Sequence, residues 1–70
     1  MSEIAAGSRV LVRSVDNRKV ERRAVTGPVQ GDDFWVVWVC QEREWESSKA
    51  GKRRPAAIPW PIEDVSPVLA

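Results

Sequence analysis

A chain of 70 residues, 43% of them hydrophobic and 30% charged, has the balance of one small folded domain and not of a disordered segment. Chains this short bury only about 60% of the surface their unfolded state exposes, which excludes a large enclosed active-site cavity. A formal net charge of +1 sets up no overall field toward nucleic acid or membranes, so any electrostatic preference is local.

Cys40 is the single cysteine and histidine is absent. An intrachain disulfide and a cysteine-based zinc cluster are thereby excluded, and neither a metal nor a cofactor is expected. The stretch Met1-Ser2-Glu3-Ile4 has neither the basic patch nor the apolar run of a signal peptide. No segment approaches the roughly 18 apolar residues of a membrane span, so the expectation is a cytoplasmic protein.

In chain order, residues 1–6 are small or polar and are expected to form a flexible N-terminus, with 7–70 as the single domain opened by Gly7-Ser8. From Arg9 to Val15, Val10 and Val12 follow the period-2 pattern of a half-buried strand, which Leu11 interrupts. Asp16-Asn17 supplies a turn. A second strand is expected from Val20 to Val29, bent where Gly27-Pro28 removes a ladder donor. Gln30-Gly31-Asp32-Asp33 then reads as a tight reverse turn.

The third strand, Phe34 to Cys40, is apolar throughout. Alternation puts Trp35, Val37 and Val39 on one face and Phe34, Val36, Trp38 and Cys40 on the other. Only one face can point into a core this small, so the other needs cover from a neighbouring element or a partner. Gln41 to Ala50 has helix formers, with Glu42, Glu44 and Glu46 near its start and Lys49 near its end, as the helix dipole favours. Gly51 is the expected C-cap, and Trp45 is expected to anchor the helix beside Trp38 or Phe34. A basic loop, Lys52-Arg53-Arg54-Pro55, leads to a fourth strand over Ala56–Trp60, a 3₁₀ turn over Pro61–Asp64 and a closing strand over Val65–Val68.

This order of strands and turns resembles the Src-homology-3-like (SH3-like) barrel over roughly residues 7–68. The resemblance implies a mainly β fold, a five-stranded small barrel with one short helix inserted between strands 3 and 4. The peptide-binding members of that class use a tyrosine-rich groove, and this chain has no tyrosine, so their proline-peptide specificity is not carried over. A narrower pattern, Trp38-Val39-Cys40, Glu42, Glu44-Trp45, Ile58-Pro59-Trp60-Pro61 and Glu63-Asp64-Val65, resembles small proteins encoded by actinobacterial phages and integrated elements. That likeness implies no known chemistry, and it suggests an accessory or host-interaction role.

The four tryptophans have two readings. They fill a core otherwise made of valine and alanine, or some of them line a groove for a peptide, a methylated amine or an unstacked base. Lys49, Lys52, Arg53 and Arg54 are either solvated charge or a phosphate-contacting patch. Asp32-Asp33 and Glu63-Asp64 are expected to serve turns and caps, and Cys40 to be a structural thiol, so no catalytic residue is assigned. The leading expectation is a non-enzymatic protein-interaction module, a self-associating one included, that uses Phe34, Val36, Trp38, Trp45 and Trp60. The alternative is a nucleic-acid-binding accessory protein that uses Lys49, Lys52, Arg53 and Arg54 beside Trp60.

Overall fold

The computed structural model describes residues 4–68. They form six strands, β1 (Arg9–Arg13), β2 (Lys19–Ala24), β3 (Val29–Gln30), β4 (Trp35–Cys40), β5 (Ile58–Pro61) and β6 (Val65–Pro67). One helix, α1 (Glu42–Gly51), lies between β4 and β5, and a 3₁₀ turn, Ile62–Asp64, joins β5 to β6. All pairings are antiparallel, and the sheet curls into a half-barrel.

The strand expected over 20–29 is divided in two. Gly27-Pro28 cannot continue a ladder, so β2 ends at Ala24 and β3 resumes at Val29. Both pieces lie on the same edge of β4. Val39 has Ala24 on one side and Ile58 on the other, and Val36 has Val29 and Pro61. β4 is therefore the central strand, as its lack of polar residues requires. β1 continues the sheet beyond β2, and β6 pairs with β1.

The core is built of small aliphatic residues: Val10, Val12, Ala24, Val37, Val39, Val65 and Ile4, with Val20, Trp60 and Ile62 packed against them. Burial of Ile4 extends the packed region ahead of the boundary expected at Gly7. The Gly7 amide donates to the Ala24 carbonyl at 2.7 Å and the Ser8 amide to Ala5 at 2.9 Å, which holds this segment against the end of β2. Residues 1–3 lie outside the described residues.

Asn17 takes a left-handed conformation (φ 66°) in the β1–β2 turn, as a short amide side chain permits. The helix stops one residue later than expected. Gly51 is its last residue, and Lys52 takes the left-handed cap position at φ 53° while its amide and that of Arg53 bond the Lys49 and Ser48 carbonyls. Lysine there carries the Cβ strain that glycine avoids. Lys52→Gly should raise stability by up to about 1 kcal/mol, read as a higher urea midpoint at unchanged slope. A lower midpoint would mean that the strain is absent.

Candidate functional site

The two faces of β4 are treated differently by their neighbours. Val37 and Val39 are sealed in the core, while Trp35, in phase with them, lies at the strand end and is 50% exposed. On the opposite face Cys40 and Val36 are buried, yet Trp38 between them is 38% exposed and Phe34 is 53% exposed. Val36 lies under the turn that follows β3, where Gly31 comes close to its side chain. Cys40 lies where β4 passes into α1, and burial, together with the nearby Glu44 and Glu42 carboxylates, pushes its thiol up. That keeps it protonated at neutral pH.

The helix covers only the Cys40 end of this face. Trp45 sits one turn into α1, its amide bonded to the Gln41 carbonyl, and from there it packs on β2, not beside Trp38 or Phe34 as expected. Its ring meets Gly7 and lies under the Arg23 guanidinium, 5.7 Å from the ring centroid. Arg23 is opposite Cys40 in the sheet, so it is the residue that a side chain in the first turn of α1 can reach. Ser48, three positions on, is the helix's buried residue and donates its hydroxyl to the Trp45 carbonyl at 2.8 Å.

What remains open is the Phe34–Trp38 end. A groove of about 570 Å³ runs there, lined by Gly31, Asp32, Asp33, Phe34, Trp38 and Pro59, with Val36 and Gln30 contributing. Trp38 also borders a second hollow of about 470 Å³, shared with Val25, Thr26, Arg54, Pro55 and Ala57. The indole is thus a ridge between an acidic flank and a basic one. Its backbone is fixed on both edges: the Val25 amide donates to its carbonyl at 2.7 Å, its own amide donates to Thr26 Oγ1 at 3.4 Å, and Pro59 lies across from it. An exposed ring on a rigid central strand is preorganised for contact.

Of the residues expected to form a partner surface, Phe34, Val36 and Trp38 come together here, and Trp45 and Trp60 do not join them. Trp60 is half-buried against the core, and its Nε1 donates to the Arg13 carbonyl at 3.1 Å. It borders a separate groove of about 540 Å³ with Arg13, Val15, Asn17 and Pro61. That groove is braced by Arg13, whose Nη2 donates to Asp64 Oδ1 at 2.7 Å. The hydrogen bond and charge of Asp64 raise the Arg13 pKa further.

The basic set is dispersed. Arg53 is clamped to α1, donating to Glu44 Oε2 at 2.7 Å and to Ser47 Oγ at 3.0 Å. Arg54 lies beside Trp38 and not with Trp60, and Lys49 and Lys52 are exposed at the helix end. Sequence reasoning assigned Asp32 and Asp33 to a turn and did not place them in the groove. They do form the turn, and the same turn brings them beside Phe34. Pro59, within the strand expected over Ala56–Trp60, also lines the groove.

Among the described residues no group of His, Cys, Asp and Glu is arranged to hold a metal ion, and no helix is long and apolar enough to cross a membrane. Fold and groove together define a small half-barrel that presents an aromatic face beside unpaired carboxylates. No protein-family model, curated protein or solved structure matches this chain.

Proposed function

We propose that this chain is a protein-interaction module that receives a partner segment across the outer face of β4, with Trp38 at its centre. The observation that carries this is the exposure of Trp38 (38%) on the central strand and of Phe34 (53%) in the bend that leads into it, where an unpartnered sheet would place valines or polar side chains. Large aromatic residues on a rigid support are the usual anchors of such contacts, and contiguous exposed apolar surface marks a binding face.

We read the architecture as SH3-like. The support is the strand path β6–β1–β2–β4–β5, with β3 continuing β2, and the 3₁₀ turn before the last strand. An accessory role in a mobile genetic element is the setting we attach to it, and it rests on the motif likeness alone. We assign no reaction to the chain.

Nucleic-acid binding ranks second. Arg53 is engaged by Glu44 and Ser47, and a nucleic-acid strand with a base stacked on Trp38 would carry its phosphates past Asp32 and Asp33.

The test is selection of binders from a displayed random-peptide library, followed by NMR mapping. Enriched peptides should shift the Trp38 indole and Phe34 resonances. Trp38→Ala should weaken them about thirtyfold, as loss of a central anchor does, and Phe34→Ala should weaken them less. Binders that move Trp60 and leave Trp38 untouched would overturn the assignment, as would a library that yields none.

A further inference from the structure

The groove between Phe34 and Trp38 sets two carboxylates that lack a basic partner beside two aromatic rings. Other carboxylates hold arginines: Asp64 holds Arg13 at 2.7 Å, Glu42 holds Arg23 at 2.6 Å and Glu44 holds Arg53 at 2.7 Å. Asp32 and Asp33 are exposed, and among the described residues neither carboxylate has an ion pair or a side-chain hydrogen bond. No lysine or arginine of the chain lines the groove they share with the two rings.

A comparable combination of groups is filled by a cation elsewhere among the described residues. At the helix, Arg23 lies over the Trp45 ring while its Nη2 donates to Glu42 Oε2 at 2.6 Å. An indole face attracts a cation through its quadrupole, and the carboxylate completes the charge. Trp38 and Phe34 with Asp32 and Asp33 repeat that chemistry without the cation.

The way in is also restricted. Pro59 and Pro61 on β5 and Pro67 on β6 have no amide to donate. The outer edges of β5 and β6 therefore discourage a strand from adding to them, and the remaining edge, β3, is only two residues long. Side-chain contact with the face is the route these edges leave most open.

We propose that this groove takes a lysine or arginine side chain from an extended segment of a partner protein, its alkyl stem over Trp38 and Phe34 and its charge at Asp32 and Asp33. This deepens the interaction reading and rests on it. A phosphate backbone is repelled by the same carboxylates. A second copy that inserted its own basic loop would form a reciprocal dimer, a ring or an open chain, and the oligomeric state reports it.

Three soluble nine-residue peptides, alike except for lysine, glutamate or serine at two positions, test this by NMR titration. The lysine peptide should shift Phe34 and Trp38 and bind about tenfold tighter than the serine peptide at low ionic strength. That preference should shrink as salt is added, and the glutamate peptide should bind most weakly. The double variant Asp32→Asn, Asp33→Asn, in an exposed turn, should bind lysine and serine peptides alike while the serine peptide keeps its wild-type affinity. Equal binding of lysine and serine peptides to the wild type, or a preference that survives in the double variant, overturns the cation assignment and leaves the interaction face standing. If none of the three peptides moves Trp38, while library-selected binders do, the cation assignment alone falls; if neither does, both fall. Concentration-dependent self-association that shields Trp38, seen by light scattering and fluorescence quenching, overturns the choice of a separate partner.

Discussion

Arg23→Met should cost about 3 kcal/mol of stability, the sum expected for two charge-assisted hydrogen bonds and one cation–π contact partly offset by relaxation. A chain this size has roughly 4–10 kcal/mol in total, so the loss is a large share of it. The Arg23 side chain is 16% exposed and makes three contacts that tie β2 to the N-terminal segment and to α1: Nη1 donates to the Gly7 carbonyl at 2.8 Å, Nη2 to Glu42 at 2.6 Å, and the guanidinium covers Trp45. Methionine keeps the apolar stem and removes all three contacts. One cost is already present in the native state, because Nε is buried with no hydrogen-bond partner among the described residues. Lysine should rescue only in part, since an ammonium cannot span Gly7 and Glu42 as the fork does. Urea unfolding measures the total, and amide exchange in α1 should rise more than exchange in β1. A loss under about 0.5 kcal/mol, the range of an ordinary surface substitution, would mean that Trp45 and Ser48 alone dock the helix.

The same contact predicts an acid response. The Arg23 hydrogen bond, and secondarily its charge, hold the Glu42 carboxyl below the usual glutamate range, and the Arg53 hydrogen bond with the Ala56 amide does so for Glu44. A carboxyl with a lowered native pKa releases its proton more readily when folded than when unfolded. Its contribution is complete above the ordinary glutamate range and drains away as pH falls toward the lowered value. Wild-type stability should therefore decline on that acid limb. In Arg23→Met the part due to Glu42 should shrink, since its largest cause is removed, while the part due to Glu44 remains, giving a shallower slope. An identical slope would show that Glu42 gains nothing from Arg23.

Much of this architecture is legible in the chain because it depends on local pattern. Alternation marks β1, an unbroken apolar run marks the central β4, and proline with carboxylates marks the 3₁₀ turn. The placement of the indoles is not legible, since it depends on where α1 leaves the sheet. Trp45 is one turn past Cys40, and the residue beside Cys40 on the next strand is Arg23. Trp38 lies two residues back along β4, roughly 7 Å away, outside the reach of that first turn. Asp32 and Asp33 have a similar history. Their sequence context announces a turn, and only the path of the turn shows that it ends beside Phe34.

That path depends on Gly31, and Gly31→Ala should damage stability and binding together. The Gly31 amide donates to the Phe34 carbonyl at 2.9 Å. A Cβ at this position would sit 2.6 Å from the same carbonyl oxygen and 3.2 Å from Val36 Cγ1. The nearer atom is backbone and cannot rotate away, so the turn itself must shift. Overpacking of this kind costs about 1–3 kcal/mol, and here the displaced segment carries Asp32, Asp33 and Phe34. Gly51→Ala is the control: its nearest neighbour would be Arg53 at 3.9 Å, and alanine at a helix end should be neutral or stabilising by up to about 1 kcal/mol. Unfolding midpoints and titration with the library-selected peptides separate the outcomes. Trp38→Ala should lose mainly binding and Arg23→Met mainly stability, whereas Gly31→Ala should lose both. Wild-type binding by Gly31→Ala would mean that the groove tolerates a displaced turn, and then the carboxylates could not be what fixes the ligand.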